Sequence, residues 1–466
     1  MVEAMADPRY DLAPLLKRAA DLSTAYLASL PARHVGPRAS AAAIAERIGG
    51  PLPSGPEDPL AVIERLARDL DPGLVALGGP RYFGFVVGGA LPASLAADWL
   101  TAAWGQNAAL YAMSPAAAAA EEVAGAWMKE LLGIPAEASY GITTGAGLGN
   151  AVGVATGRHA VLAKVGWDVE TRGLYGAPEI AVILGEEAHA TMLTALQYLG
   201  LGRDRVTRVP SDGQGCMRAE PLAEAVRRAG PTPVIVCAQA GNVNTGGFDP
   251  LSAIADAVDA HPNAWLHIDG AFGLWASAVP RLRHLIAGVE RADSWSTDSH
   301  KWLNVGYDSG FVATRDPIAH RAAMAASAPY LMVSGENREG SEWVLDSSRR
   351  ARGFALYAVL RSLGRDGVRD LVERCCTLAR RMADRLAAGP GILVLNEVNL
   401  NQVLVRFADD DARTRAVIEQ VQKEGIAWMG GTTWHGKAAM RISVSNWATR
   451  EDDIDRTAEA IVRAAR

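Results

Sequence analysis

Two short stretches place reactive side chains where an apolar run ends. In AWLHIDGAFG, Asp269 closes such a run and is followed by Gly270 and Ala271. Further on, in ADSWSTDSHKWLN, Lys301 stands beside His300. A Lys amine is a covalent nucleophile toward carbonyl carbon, and a carboxylate favours a protonated group held against it. Each residue also has an ordinary reading: a strand-end Asp starts a turn, and a lone Lys is a solvated surface residue. Taken together they are more informative. Ligands of open α/β sheets bind at the carboxyl ends of the strands, where the pattern places both residues. His189, in VILGEEAHATM just after another strand pattern, adds a flat ring, although alone it reads as a loop or helix-cap residue.

An amine and a carboxylate converging on one site fit pyridoxal 5'-phosphate (PLP). The amine of Lys301 would form a Schiff base with the cofactor aldehyde. Asp269 would pair with the protonated pyridine nitrogen and keep the ring electron-withdrawing. Ala271 is small enough to let the ring lie close, and His189 is placed to stack on it. Thr143-Thr144-Gly145-Ala146-Gly147, opening a helix expected from Asn150, offers backbone N–H groups to a phosphate. Other motifs fail. Gly431 to Lys437 reads G-x-x-x-x-G-K, but Ala438 stands where Ser or Thr must hold magnesium and a strand pattern follows. Gly145, Gly147 and Gly149 suggest a dinucleotide fingerprint, but the third glycine comes one position early and no clear strand precedes it. No metal-ligand spacing exists among the histidines and cysteines. Cys375 and Cys376 fall within a helical pattern and read as packing.

The elements that must hold these residues are legible in outline. Residues 1–78 read as a helical arm, with helical spacing from Asp7 to Leu30 broken by ARHVGPRAS and GGPLPSGPEDP. Ser114-Pro115 starts a helix that stops at Gly133 and Pro135. The runs Ile180–Leu184, Val234–Cys237, Trp265–Ile268 and Phe311–Ala313 read as strands separated mostly by helices. Few outward polar positions imply a mostly parallel sheet buried on both faces, within a large α/β domain over 79–352. Over 353–466, a long helical pattern after Asp366 leads to ILVL, QVLVRF and MRISVS, with a helix before the last of these. Thr449, followed by Glu451, Asp452 and Asp453, reads as the cap of a terminal helix in this small C-terminal α+β domain.

Composition narrows the class. The 466 residues are 49% hydrophobic and 21% charged, enough for a core and unlike a disordered chain. A net charge of -6 favours neither nucleic acid nor an anionic membrane. Apolar stretches fall short of the roughly 20 residues of a membrane span. MVEAMADPRY carries Glu3 and Asp7 without an apolar run, unlike a secretory leader. Four cysteines make no disulfide framework, and a cytoplasmic location is expected.

From RYFGFVVGG at residue 81 to MRISVSN, the chain resembles the group II PLP-dependent amino-acid decarboxylases, which include the aromatic-L-amino-acid, glutamate and histidine decarboxylases. The motifs that carry the resemblance are D-x-A at Asp269 and Ala271, and D-S-x-x-x-D-x-H-K-W-L from Asp293 to Leu303. AGNVNTGGFDP at 240–250 and SRRAR at 348–352 are also similar to family segments. The resemblance implies a fold-type I PLP-dependent transferase fold with a seven-stranded-type sheet, and a homodimer sharing its active site. It makes Lys301 the Schiff-base lysine, Asp269 the pyridinium partner and His189 the stacking residue. Ala146, Gly147, His300 and Asp298 fall at positions lining the phosphate, although Asp298 needs hydrogen-bond donors to sit near that dianion. Asn242 takes the place of a family threonine near the cofactor.

At the substrate end, the resemblance places Phe85, Val86, Val87 and Gly88 in the pocket, and Asn107, Ala108 and Ala109 in the segment the partner subunit supplies. Trp104 reads as helix packing. Arg441 either binds a substrate carboxylate bidentately or makes a structural ion pair. The implied reaction is decarboxylation of an L-amino acid to the amine and CO2. In the family a mobile-loop tyrosine commonly protonates the resulting carbanion. Here the corresponding stretch, 331–352, has no tyrosine; Tyr330 precedes it, and Ser341 and Trp343 lie within it. That departure keeps an aldehyde-forming decarboxylase–oxidase, or another Cα-bond lyase, as alternatives on the same fold, with a non-catalytic PLP-binding protein as the remote one.

Overall fold

In a computed structural model, residues 11–326 and 337–466 are described; Tyr330 and the 331–336 part of the expected loop lie outside them. Seven strands build the main sheet: β1 (Ser139–Thr143), β2 (Ala181–Gly185), β3 (Val206–Val209), β4 (Val234–Gln239), β5 (Ala264–Asp269), β6 (Ser294–Asp298) and β7 (Gly310–Thr314). Their spatial order is β1-β7-β6-β5-β4-β2-β3. The pairings from β6 through β5, β4 and β2 to β3 are parallel. β7 alone runs against both its neighbours, because the short 299–309 connection turns the chain straight back. Every residue of β1, β4, β5, β6 and β7 is buried, as a sheet covered on both faces requires.

Before the sheet come α1 (Leu12–Ser29), α2 (Ala41–Ile48), α3 (Pro59–Leu70), α4 (Pro92–Trp104) and α5 (Pro115–Leu132). α5 begins and ends where its sequence dictates: the Ser114 hydroxyl accepts the Ala117 N–H, and Gly133 closes the helix in the left-handed region. α6 (Ala146–Ala163) is buried on almost every side. Its stripe Gly149, Gly153, Gly157 explains how it lies so close to the sheet. A Cβ there would stand 3.0 Å from Ser296, 2.6 Å from His267 and 2.6 Å from Trp265 respectively. The remaining helices are α7 (Val169–Arg172), α8 (Ala190–Tyr198), α9 (Ala219–Ala229), α10 (Leu251–Asp259), α11 (Pro317–Met324), α12 (Gly353–Ala387), α13 (Asp411–Glu424) and α14 (Glu451–Ala465). A second, antiparallel sheet holds β8 (Ile392–Val394), β9 (Gln402–Phe407), β10 (Gly430–Trp434) and β11 (Lys437–Ser443), in the order β10-β11-β9-β8.

Several local expectations need correction. A strand, β1, does precede the glycine run, and α6 starts at Ala146 rather than Asn150. β3, β6 and β10 carry too many polar or Gly residues (VTRV, SWSTD, GGTTW) to be read as strands; neighbouring strands define them. α12 begins at Gly353, well before Asp366, and is broken at Gly364, whose φ is 59°. Thr449 does not cap α14: its hydroxyl donates to Pro80 O, and the Arg450 N–H is received by Asp453. Cys375 and Cys376 are buried within α12. Among the described residues no helix is long and apolar enough to cross a membrane.

Candidate active site

β5 and β6 end side by side at Asp269 and Asp298, and α6 begins opposite them at Ala146. The backbone of Ala271 joins the two strand ends, since its carbonyl accepts the Asp298 N–H at 2.9 Å. Asp298 gathers donors. One oxygen accepts the Ala146 N–H at 2.6 Å and lies 3.3 Å from His300 Nε2, while the other lies 3.0 Å from Lys301 Nζ. Gly145 and Gly310 leave the room this requires. A Cβ on Gly145 would stand 3.0 Å from Asp298 Oδ1, and one on Gly310 would stand 2.4 Å from the Gly145 Cα.

Asp269 is held by a chain of side chains that the sequence reading missed. Its Oδ2 accepts Asn150 Nδ2 at 2.9 Å and its Oδ1 accepts the Ala271 N–H at 3.2 Å. Asn150 Oδ1 in turn lies 3.0 Å from His267 Nε2 and also accepts the Ser296 hydroxyl. His267 Nδ1 is 2.8 Å from Ser294 Oγ, which accepts the Trp265 indole N–H at 2.9 Å. Because the Ser294 hydroxyl must donate onward, Nδ1 is the acceptor and Nε2 carries the proton. Full burial pushes His267 down to about 3, so this neutral tautomer persists. The available signal was spacing: positions 267 and 269 lie on one face of β5. No Lys or Arg side chain pairs with Asp269 among the described residues.

His189 caps α8, its Nδ1 accepting from the Thr191 hydroxyl at 2.8 Å and from the Thr191 N–H at 3.3 Å. Its ordinary cap reading and its position in the cleft therefore hold together. Burial chiefly holds its pKa low, with the charges of Asp269, Lys301, Arg441 and Asp298 all acting on the ring. Gly147, at the start of α6, faces Thr191. Arg441 lies in β11, mostly buried, and burial lowers its pKa. The guanidinium stands 5.9 Å from the Phe85 ring centre and 3.5 Å from Asn244 Oδ1. Among the described residues it makes no ion pair. Phe85 has a φ of 54° and its ring is 5.5 Å from that of Trp428. Asn242 organises its own turn, its Oδ1 accepting the N–H groups of Asn244 and Thr245. Tyr307, which the sequence reading passed over, packs its ring 4.4 Å from that of His300, and burial pushes its phenol up to about 12.

Two segments close in from the side. Arg349, fully buried, pairs with Glu121 at 2.8 Å and donates to Ala108 O at 3.1 Å and Ile142 O at 2.6 Å, fixing 107–109 against β1. Beyond residue 336, His320 Nε2 lies 3.0 Å from Trp343 O and its Nδ1 lies 2.9 Å from Ser139 Oγ. Trp104 packs edge-on against Phe354 at 5.1 Å, as helix packing predicts.

These residues fit PLP. The start of α6 and His300 lie together at the ends of β5 and β6, where N–H groups can receive a phosphate, with Asp298 held among them by the Ala146 N–H. Asp269 is a buried carboxylate lacking a cationic partner, as a pyridinium nitrogen requires. Lys301 offers an amine beside them. Comparisons with known proteins agree. Residues 45–408 match the pyridoxal-dependent decarboxylase conserved domain. Tryptophan decarboxylase 1 of Oryza sativa subsp. japonica is 26% identical over 95% of this chain and 91% of its own length. Acidic amino acid decarboxylase GADL1 of Homo sapiens is 28% identical over 85% of this chain and 80% of its own. The crystal structure of Rhodiola rosea 4-hydroxyphenylacetaldehyde synthase superposes with a TM-score of 0.87 at 21% identity, covering 98% of each chain. The chain therefore belongs to the pyridoxal-dependent decarboxylase family, a PLP-dependent carboxy-lyase of fold type I acting on amino acids.

Proposed function

We propose that the protein converts an L-amino acid to its amine and CO2, with Lys301 as the covalent attachment point of the cofactor. The observation that carries this reading is that the ends of β5 and β6 bring together Asp269, a buried carboxylate held by Asn150, and the amine of Lys301, 3.0 Å from Asp298. When bound, PLP supplies an electron-withdrawing π system that accepts the electron pair left as the Cα–carboxylate bond breaks. In this reading Asp269, held by Asn150 and His267, keeps negative charge at the ring-nitrogen end. His189, held neutral by burial, offers a flat face to the ring. The amide of Gly147, with His300, receives the phosphate beside Ala146, whose own N–H is held by Asp298, and Ala271 leaves space beside the ring. Asp298 and Asn242 shape that end of the pocket, Asp298 by ordering His300 and Asn242 by ordering its turn. At the other end Arg441 receives a substrate carboxylate beside Phe85, because a buried guanidinium without a carboxylate partner is costly until an anion joins it.

A second reading is favoured by one feature: residues 331–352 contain no tyrosine. An unprotonated Cα would then react with O2 and water, giving the aldehyde, CO2, ammonia and hydrogen peroxide. One experiment separates the two: incubate the holoenzyme with a panel of L-amino acids and measure CO2, amine, aldehyde and peroxide together. Amine with CO2 is expected. Aldehyde with equimolar peroxide would replace that reading with the second, and no CO2 from any substrate would overturn both.

We also propose a homodimer with a shared active site, a cytoplasmic location, and a division into an arm (1–78), a large domain (79–352) and a small domain (353–466). The exposed Leu12, Leu16, Trp99, Leu100 and Trp104 on α1 and α4 support the dimer. The confinement of the two sheets to 139–314 and 392–443 supports the division, and four free cysteines support the location.

A further inference from the structure

Asn304 follows Lys301 by three residues and is wholly buried, with a φ of 55°. Its side-chain amide uses all of its hydrogen-bonding capacity. Oδ1 accepts the Gly89 N–H at 2.5 Å and the Trp447 N–H at 3.0 Å; Nδ2 donates to Trp302 O at 2.7 Å and Ser445 O at 2.9 Å. Since both oxygen partners are N–H groups and both nitrogen partners are carbonyls, only one orientation of the amide satisfies the site.

The four partners come from three separate pieces of chain. Trp302 belongs to the turn carrying Lys301. Gly89 belongs to the segment carrying Phe85. Ser445 and Trp447 follow directly on β11, which carries Arg441. The backbone of Asn304 reinforces the same junction: its N–H donates to Lys301 O at 3.2 Å, and its carbonyl receives the Leu91 N–H at 2.9 Å. The pieces are in unusually close contact, for a Cβ on Gly88 would stand 1.9 Å from Lys301 O. Beyond this point, Ser443 N–H donates to Phe83 O and the Trp447 indole to Ala90 O, so the Phe85 segment and the end of β11 are tied into one wall.

We propose that Asn304 is a positioning residue that sets the distance between the amine of Lys301 and the Phe85–Arg441 wall, and so governs how substrate is seated. This rests on the proposed roles of Lys301 and Arg441. The chemistry at Lys301 needs the turn itself, whereas substrate seating needs the turn and the wall in register. Loss of Asn304 therefore falls on KM more than on kcat.

Asn304→Gly tests this cleanly, because glycine adopts the left-handed backbone without strain while removing all four side-chain bonds. Asn304→Asp keeps the two acceptor bonds to Gly89 and Trp447. For Asn304→Gly the expected result is a KM raised about ten-fold or more with a smaller change in kcat. Hydrogen exchange should quicken over 86–91 and 445–449 in both cofactor-free and loaded protein, with β4 and β5 unchanged. Asn304→Asp, which sets a carboxylate oxygen against the Trp302 and Ser445 carbonyls, should raise KM and quicken exchange in the same two segments. A variant that loses only melting temperature, with wild-type KM and wild-type exchange in those two segments, would overturn the proposal. If Asn304→Gly fails to fold, Asn304→Asp decides by the same two readouts. A wild-type enzyme releasing no CO2 from any amino acid would sink the functional reading alone, because the exchange comparison still judges the tie.

Discussion

In the proposed reading Lys301 and Asp269 have different roles, and disturbing each should have different consequences. Lys301→Ala removes the amine and should lower turnover by at least about a thousand-fold, with loss of the visible absorption of covalently held cofactor; normal turnover would refute the assignment. Behind Asp269, the Ser294–His267–Asn150 chain presents donors in a fixed order. His267→Leu breaks that chain without touching the cofactor site. It should weaken PLP retention and lower kcat by about 10–100-fold, the usual effect of losing an outer-shell partner; unchanged retention and kcat would show that Asn150 alone suffices. Arg441→Lys keeps the charge but loses the planar fork. Its KM should rise by about 10–100-fold, as loss of a charged hydrogen bond predicts, and an unchanged KM would remove Arg441 from substrate binding.

Between elements, the tightest commitments are buried and polar. Arg349 and Glu121 are both almost fully buried, and Arg349 also holds two backbone carbonyls. Arg349→Met leaves Glu121 as an uncompensated buried charge and should destabilise the chain by about 3–5 kcal/mol, read as a lower denaturant midpoint. Activity should fall with it, because 107–109 loses its anchor. The contact of α6 with the sheet depends on absence of side chains instead. Gly153→Ala drives a methyl into the His267 ring, so it should cost about 1–3 kcal/mol as overpacking and disturb Asp269 through the same chain. A stability unchanged from wild type would mean the helix can move outward freely.

For the whole molecule, buried imidazoles set a pH limit. His267 and His320 are pushed down to about 3 from 6.5 by burial. The unfolded chain therefore takes up protons below about pH 6.5 that the folded chain refuses until about 3, and stability falls as pH drops through that window. Asp249, pushed up to about 6 by burial, acts in the opposite sense between 3.8 and 6 but over a narrower span. The melting temperature should decline from pH 7 to pH 4, and His320→Gln should flatten that decline; a slope equal to wild type would show that His320 does not contribute. The exposed apolar residues of α1 and α4 predict a particle twice the 49.2 kDa chain by light scattering.

Much of this was present in the residues themselves. The apolar runs ending at Asp269 and the D-x-H-K-W-L turn announced the cofactor chemistry, and Ser114-Pro115 and Gly133 gave the ends of α5, because strand burial, capping and amine reactivity are local properties written in residue type and spacing. What residue type does not encode is which distant groups meet. β6 is a strand only because β5 and β7 hold SWSTD between them. Asn150, His267, Asn304 and Tyr307 look like ordinary polar residues until α6, β5 and the chain after β11 close around Lys301. Arg441 reads from sequence as either an ion pair or a ligand site, and only the packed structure shows that it has no ion-pair partner among the described residues. The sequence by itself determined the fold class and singled out the amine of Lys301, the carboxylate of Asp269 and the ring of His189. The tertiary structure alone decided their hydrogen-bond partners, because those partners come from chain segments more than a hundred residues apart and meet only when packing brings the strand ends, α6 and the second sheet together.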